Sequence, residues 1–377
     1  MNNKENIFYS NFHDCRHGGF YSVNWPKNRI QIDFSSNLNP FGISSKVLSK
    51  LRNNIALAYN YPDPKCIDLK KKILDYIGSE KDFDINHNLI IGNGATELIH
   101  YFAYTFVRNK ALIPVPTFCE YELASRNKVS AAIHYSYLRE DNFIIDSDSI
   151  IRTANNPENE ISSLFLCNPN NPTGKFYERE VTEIIEKIDK KIKILLDESF
   201  IEFVDSKKKS SNNHFVDLVK EYENLTILRS LTKTFGLAGL RIGYAISTKA
   251  NIDKLSQHLI SWNVNGLAQI AGIEALKDKK HLKSVISNNN SERTRLFSLY
   301  SKNAKIRAIP TDTNFFMIKI LDSKINSTAL RDKLLRESKI LVRDCKDFTG
   351  LNDKFIRVAI KTRKENDTLV RSLEAAL

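Results

Sequence analysis

The sequence predicts an α/β fold: a mostly parallel central sheet flanked by helices, with a smaller α+β domain. Two observations carry the prediction. Through the middle of the chain, short apolar runs of buried-strand type alternate with longer amphipathic stretches, the pattern of a parallel sheet covered by helices. After about residue 266 that alternation gives way to long helical segments followed by isolated strands.

The elements follow in order. Residues 88–91 read as a strand. Residues 96–107 read as a helix, with Leu98, Ile99, Phe102, Ala103, Phe106 and Val107 on one stripe. Strands are expected at 111–115, 163–167, 192–196, 225–228 and 241–246, with helices such as 178–188 between several of them. The polar tract 206–213 reads as a surface loop. Beyond it, helices at 267–276 and 291–301 precede a strand at 314–320, a further helix and a last strand at 355–360.

Composition narrows the function classes. The chain has 377 residues, 42% of them apolar, enough for a sizeable core. Its net charge is +12, but the lysines are scattered in short runs such as Lys70-Lys71-Lys72 and Lys207-Lys208-Lys209. Such runs are solvated faces rather than a basic stripe, so no nucleic-acid partner is expected. Five cysteines with no CxxC pair exclude a disulfide framework, and a reducing compartment is the simplest context. The first 19 residues contain no apolar leader segment, and no run of about 18 apolar residues spans a membrane; a cytoplasmic enzyme is expected.

Four segments carry chemistry. Gly92-Asn93-Gly94-Ala95-Thr96-Glu97 joins a strand to a helix, where free backbone N–H groups can cradle a phosphate. It is not a dinucleotide fingerprint, because Glu97 stands at the third glycine position. Asn168-Pro169-Asn170-Asn171-Pro172-Thr173-Gly174 closes another strand and fails as a P-loop, since Pro169 replaces the first glycine. Asp197 ends a strand, where α/β folds place ligands. The stretch from Arg229 to Tyr244 combines Ser230, Thr232, Lys233 and Arg241. A desolvated lysine there becomes nucleophilic near neutral pH, and the hydroxyls and guanidinium suit a dianionic phosphate.

In this order the segments resemble pyridoxal-phosphate enzymes of fold type I, the aspartate-aminotransferase superfamily. The resemblance implies pyridoxal 5'-phosphate as cofactor. It implies that Lys233 bonds covalently to the cofactor and later moves protons, and that Asp197 pairs with the pyridinium nitrogen. Asn171 would bond the ring 3-oxygen, and Phe118 would stack on the ring. Gly94, Ala95, Thr96, Ser230, Thr232 and Arg241 would hold the phosphate. Tyr61 would reach the phosphate of a neighbouring subunit, which implies a homodimer with shared sites. The implied domains are an N-terminal arm with part of the small domain at 1–46, a large cofactor-binding domain at 47–266 and a small domain at 267–377.

Within the superfamily, two families compete: histidinol-phosphate aminotransferases and the threonine-phosphate decarboxylases of cobalamin biosynthesis. The decarboxylases are resembled by four segments: His17-Gly18-Gly19; Asp33-Phe34-Ser35-Ser36-Asn37-Leu38-Asn39-Pro40-Phe41-Gly42; Ser261-Trp262-Asn263-Val264-Asn265; and the C-terminal set Ile340 to Cys345, Gly350-Leu351 and Arg357 to Ile360. Phe200 stands where the aminotransferases carry a tyrosine that donates to the ring, and leans the same way. The resemblance implies substrate contacts from His17, Gly18, Asn37, Asn171, Arg343 and Arg357. It implies a lyase acting on O-phospho-L-threonine, giving (R)-1-aminopropan-2-yl phosphate, or on O-phospho-L-serine, giving ethanolamine phosphate. The alternatives are a histidinol-phosphate aminotransferase, or a non-catalytic binding protein that the intact Lys233, Asp197 and Arg241 argue against.

Overall fold

The computed structural model describes residues 15–26, 29–79, 81–126, 132–138, 143–211 and 213–377. Most of the reading of the N-terminus as lacking a leader falls on residues outside these. Seven strands form the large sheet, in the spatial order Leu89–Gly92, Gly243–Ser247, Leu225–Ser230, Lys193–Asp197, Ile161–Cys167, Lys110–Val115 and Ala132–Tyr137. Gly243–Ser247 runs antiparallel to both its neighbours, and every other pairing is parallel.

Alternation along the strands sorts side chains to two faces. Ile113, Phe165, Leu195, Leu228 and Ala245 enter one apolar cluster with the helix Ala95–Phe106. Their chain neighbours Leu112, Leu164, Leu166, Ile194, Leu196, Ile227 and Ile246 enter the other, with the helices Ile67–Ile77, Glu178–Lys187 and Gly266–Lys277. Burial on both faces explains why these strands read as continuous apolar runs.

The second sheet is antiparallel, in the order Arg343–Asp344, Phe355–Ala359, Phe315–Ile320 and Ile306–Ala308. The two-residue strand Ile32–Asp33 pairs in parallel with Ile340–Leu341, so the N-terminal segment lies against this part of the chain. Among the described residues, no helix is long and apolar enough to cross a membrane.

Two expected elements differ from those observed. The strand expected from residue 241 begins at Gly243, because Arg241 turns into the left-handed region at φ 57°. The helix expected at 291–301 is the end of a 22-residue helix, Lys279–Tyr300, whose start is capped by the Asp278 carboxylate accepting from the His281 N–H. Its polar run Ser287-Asn288-Asn289-Asn290-Ser291 hides the helical period.

Candidate active site

The carboxyl edge of the large sheet faces the second sheet across a cavity of about 460 Å³. Fourteen of the residues singled out from sequence line it: His17, Gly18, Asn37, Ala95, Thr96, Phe118, Asn171, Asp197, Ser230, Thr232, Lys233, Arg241, Arg343 and Arg357.

Lys233 follows the strand Leu225–Ser230, and Asn39 pins its loop. The Asn39 N–H donates to the Lys233 carbonyl at 3.2 Å, and the Asn39 side-chain amide donates to the Thr234 carbonyl at 2.8 Å. Burial, then the nearby cations Arg357 and Arg241, push the Lys233 amine down to about 8, against the pull of Asp197. A neutral amine is thus within reach near physiological pH. Asp197 is 3% exposed at the end of its strand. Burial raises its pKa, while donors from Tyr121 Oη at 2.8 Å and the Ser199 N–H at 2.8 Å favour the carboxylate.

The phosphate-type cradle is built from backbone freedom. Gly94 sits at φ 85°, and a Cβ there would stand 2.4 Å from Arg241 Nη2, so only glycine lets the guanidinium close on the turn. No side chain caps the helix Ala95–Phe106, which leaves its first N–H groups facing the cavity with the positive end of the helix dipole. Ser230 Oγ and Thr232 Oγ1 lie 2.7 Å apart beside it.

On the opposite wall, Arg343 and Arg357 are directly paired across antiparallel strands. Like charges in that relation repel. Arg343 is neutralised: its Nη2 reaches both oxygens of Asp347 at 2.7 and 2.8 Å, and also donates to the Arg16 carbonyl at 2.6 Å. Among the described residues Arg357 has no such partner. Its Nη1 donates to Asn171 Oδ1 and its Nη2 to the Ser35 carbonyl at 2.8 Å. Its Nε and the Asn37 Oδ1 are buried without a hydrogen-bond partner among the described residues. Burial pulls the Arg357 pKa down to about 10, so it remains a cation at neutral pH. A buried cation with an orphaned Nε–H donor suits an anionic ligand, while Asn37 Oδ1, an acceptor, is left for a ligand donor such as an amine. Gly18 belongs to this wall: a Cβ there would stand 2.2 Å from the Ser35 carbonyl oxygen, so the Arg16-His17-Gly18 segment can lie flat against it.

Two candidates lie off the cavity. Gly94 is behind Arg241. Tyr61 is 79% exposed and stacks on Trp262 at 4.4 Å, away from this chain's cavity. The Trp262-Asn263-Val264-Asn265 segment has structural work: Asn263 donates to Glu97 at 2.7 Å, and Asn265 caps the helix Gly266–Lys277. Phe200 lines the cavity and packs on Phe315 with ring centroids 5.2 Å apart.

Sequence reasoning missed Tyr121, Glu120 and Cys119, which follow Phe118 directly and line the cavity. The run Pro116-Thr117-Phe118 pointed at this turn, but only the fold brings Tyr121 to Asp197, 76 residues on. There is no disulfide framework, yet one bridge joins Cys15 to Cys119 across 104 residues, which corrects the expectation of a wholly reduced set. No spacing rule signals a pair so far apart. Cys66, Cys167 and Cys345 are free.

The donor set fits pyridoxal 5'-phosphate: a cradle for a dianion, an aromatic wall at Phe118, a buried carboxylate at Asp197 and an amine at Lys233. Comparison with known proteins agrees. The family model for aminotransferase class I and II matches residues 29–373. The chain is 35% identical, over 90% of its length and 88% of the other's, to a Caldanaerobacter subterraneus protein provisionally named a threonine-phosphate decarboxylase. It is 31% identical over 90% of its length to the adenosylcobalamin biosynthesis bifunctional protein CobDQ of Leptospira interrogans, matching 38% of that longer protein. It also resembles the crystal structure of the histidinol-phosphate aminotransferase from Clostridium acetobutylicum, with 32% identity, a TM-score of 0.82, and coverage of 91% of this chain and 98% of that one. The chain therefore belongs to the class I and II aminotransferase family, whose members are pyridoxal-phosphate-dependent.

Proposed function

We propose that this protein is a cytoplasmic, pyridoxal-phosphate-dependent carboxy-lyase that converts O-phospho-L-threonine to (R)-1-aminopropan-2-yl phosphate in cobalamin biosynthesis, with O-phospho-L-serine as the sister substrate. The cofactor supplies an electron sink for the bond broken at the substrate's Cα. Lys233 binds the cofactor, then returns a proton to Cα. Asp197, held by Tyr121 and the Ser199 N–H, keeps the ring nitrogen protonated, and Asn171 orients the ring through its 3-oxygen. Phe118 packs on the ring. Ala95, Thr96, Ser230, Thr232 and Arg241 hold the cofactor phosphate, Gly94 shapes the turn beside Arg241, and Tyr61 serves the site of a second subunit in a homodimer.

The observation that carries the substrate reading is Arg357, a buried cation with no carboxylate partner among the described residues, beside Asn171 and paired across the strands with Arg343, in the cavity that His17 also lines. Its place next to the residue assigned to the ring gives it the carboxylate on Cα. His17, Gly18 and Arg343 then take the distal phosphate, with Asn37 between the two ends. A phospho-amino acid has an anion at each end, and residues that fix both ends would set which bond at Cα is presented for breaking. The resemblance to a provisionally named decarboxylase and to the bifunctional cobalamin protein supports this reading. Histidinol-phosphate transamination is the second reading, supported by 32% identity to an enzyme of that name. The test offers the holoenzyme both phospho-amino acids, and histidinol phosphate with 2-oxoglutarate, and measures carbon dioxide and glutamate together.

A further inference from the structure

We propose that Glu120 is a positioning residue that holds His17 in place to receive the distal phosphate of the substrate; this rests on the phospho-substrate reading above. Glu120 opens the short helix Glu120–Arg126, two residues after Phe118, and is 6% exposed at the wall of the cavity. Its two carboxylate oxygens are both used. Oε1 lies 2.7 Å from His17 Nε2, and Oε2 lies 3.0 Å from His100 Nε2. The two imidazoles pull the Glu120 pKa down to about 2 against its burial, so the group is a carboxylate throughout the working range of pH.

The three partners come from three separate pieces of chain. His100 lies on the helix Ala95–Phe106, whose first turn faces the phosphate-type cradle. Glu120 follows the turn that presents Phe118. His17 comes from the N-terminal segment, 103 residues before Glu120. The carboxylate thereby ties the N-terminal segment to the helix Ala95–Phe106. His17 needs such a tie. Its side chain is 52% exposed, and besides Glu120 it meets the Phe118 ring, 5.7 Å away at a tilt. Donation from Nε2 to Glu120 fixes the ring plane and leaves Nδ1 as its remaining polar atom. In the doubly protonated ring, Nδ1–H is a donor for a phosphate oxygen.

The backbone around His17 is fixed independently, by the bridge from Cys15 to Cys119 and by Arg343 holding the Arg16 carbonyl. Glu120 thus governs the ring rather than the path of the chain. Removing the carboxylate should leave the fold and the cofactor cradle as they are and weaken one end of the substrate site.

The experiment compares wild-type holoenzyme with Glu120→Gln, Glu120→Asp, His17→Ala, His100→Ala and the Glu120→Gln/His17→Ala double variant. Steady-state kcat and KM are measured with O-phospho-L-threonine. Calorimetry gives the Kd of propan-2-yl phosphate, a phosphomonoester with neither amine nor carboxylate. Cofactor absorbance and stoichiometry monitor the rest of the site. Losing a charge-assisted hydrogen bond predicts that Glu120→Gln raises KM and Kd by roughly 5- to 20-fold, with kcat and cofactor loading unchanged within about twofold. His17→Ala should do the same, the double variant should be no worse than His17→Ala alone, Glu120→Asp should recover part of the loss, and His100→Ala should give a smaller rise. Wild-type constants in Glu120→Gln alongside a loss in His17→Ala overturn the role of Glu120. So do effects that multiply in the double variant, or a fall in cofactor loading that accounts for the loss. A fully loaded wild type that neither turns over O-phospho-L-threonine nor binds propan-2-yl phosphate overturns the substrate reading and this inference with it.

Discussion

Replacing Arg357 with methionine separates the functional cost of a buried charge from its structural one. In the substrate-free protein that charge is a burden. Burial holds the Arg357 pKa at about 10 against an ordinary 12.5, a gap that corresponds to ~3 kcal/mol of unfavourable charge burial. Methionine keeps much of the side chain's volume and its packing over Phe315, whose ring centre lies 5.4 Å from the guanidinium carbon. Two acceptors lose a donor, the Ser35 carbonyl and Asn171 Oδ1, at about 1 kcal/mol each. The opposing terms nearly cancel, so Arg357→Met should melt within a few degrees of wild type. Activity should behave differently. A substrate carboxylate left without its buried cation costs on the order of 2–5 kcal/mol, a fall in kcat/KM of roughly 30-fold to several thousand-fold. The assays are thermal melting of the holoenzyme and steady-state kinetics with O-phospho-L-threonine. A variant within threefold of wild-type kcat/KM, or one that loses activity only because it unfolds, would refute the assignment of Arg357 to the substrate.

Three further outcomes are expected. Because Lys233 is held near 8, its neutral fraction should rise about tenfold between pH 7 and pH 9, and the rate at which apoenzyme captures pyridoxal phosphate should rise with it, then level off; a rate flat over this range, or one falling as pH rises, contradicts that role. Tyr121→Phe removes a charge-assisted donor from buried Asp197 and should weaken cofactor binding by roughly 10- to 100-fold, measured by equilibrium dialysis, and an unchanged Kd would remove Tyr121 from the site. Mixing inactive Tyr61→Phe and Lys233→Ala proteins under conditions of proven subunit exchange should restore activity, since one hybrid site then carries both native residues; no recovery would argue against a site shared across a two-fold axis.

The large sheet was legible because its strands are buried on both faces and therefore announce themselves as apolar runs, as at Leu225–Ser230. Lys233 and Asp197 were legible for the same reason: each stands just beyond such a run, at the carboxyl edge where this architecture opens. Arg343 and Arg357 could be picked out as single residues, but not as a cross-strand pair, because register depends on which strands meet. The turn after Phe118 shows where local reading stops. Cys119, Glu120 and Tyr121 look like three ordinary residues entering a helix. Their partners Cys15, His17, His100 and Asp197 lie between 20 and 104 positions away, and no local period encodes such contacts. Asn39 is similar: its motif was visible, but its hold on the Lys233 loop belongs to the fold.

The central claim is the choice between breaking the carboxylate bond and exchanging the amine. It is tested most directly by incubating the holoenzyme with O-phospho-L-threonine, and separately with histidinol phosphate and 2-oxoglutarate, while following carbon dioxide and glutamate in both reactions. The account predicts one carbon dioxide per aminopropanol phosphate in the first and no sustained glutamate in the second. Sustained glutamate from histidinol phosphate, with no carbon dioxide from O-phospho-L-threonine or O-phospho-L-serine, would contradict it.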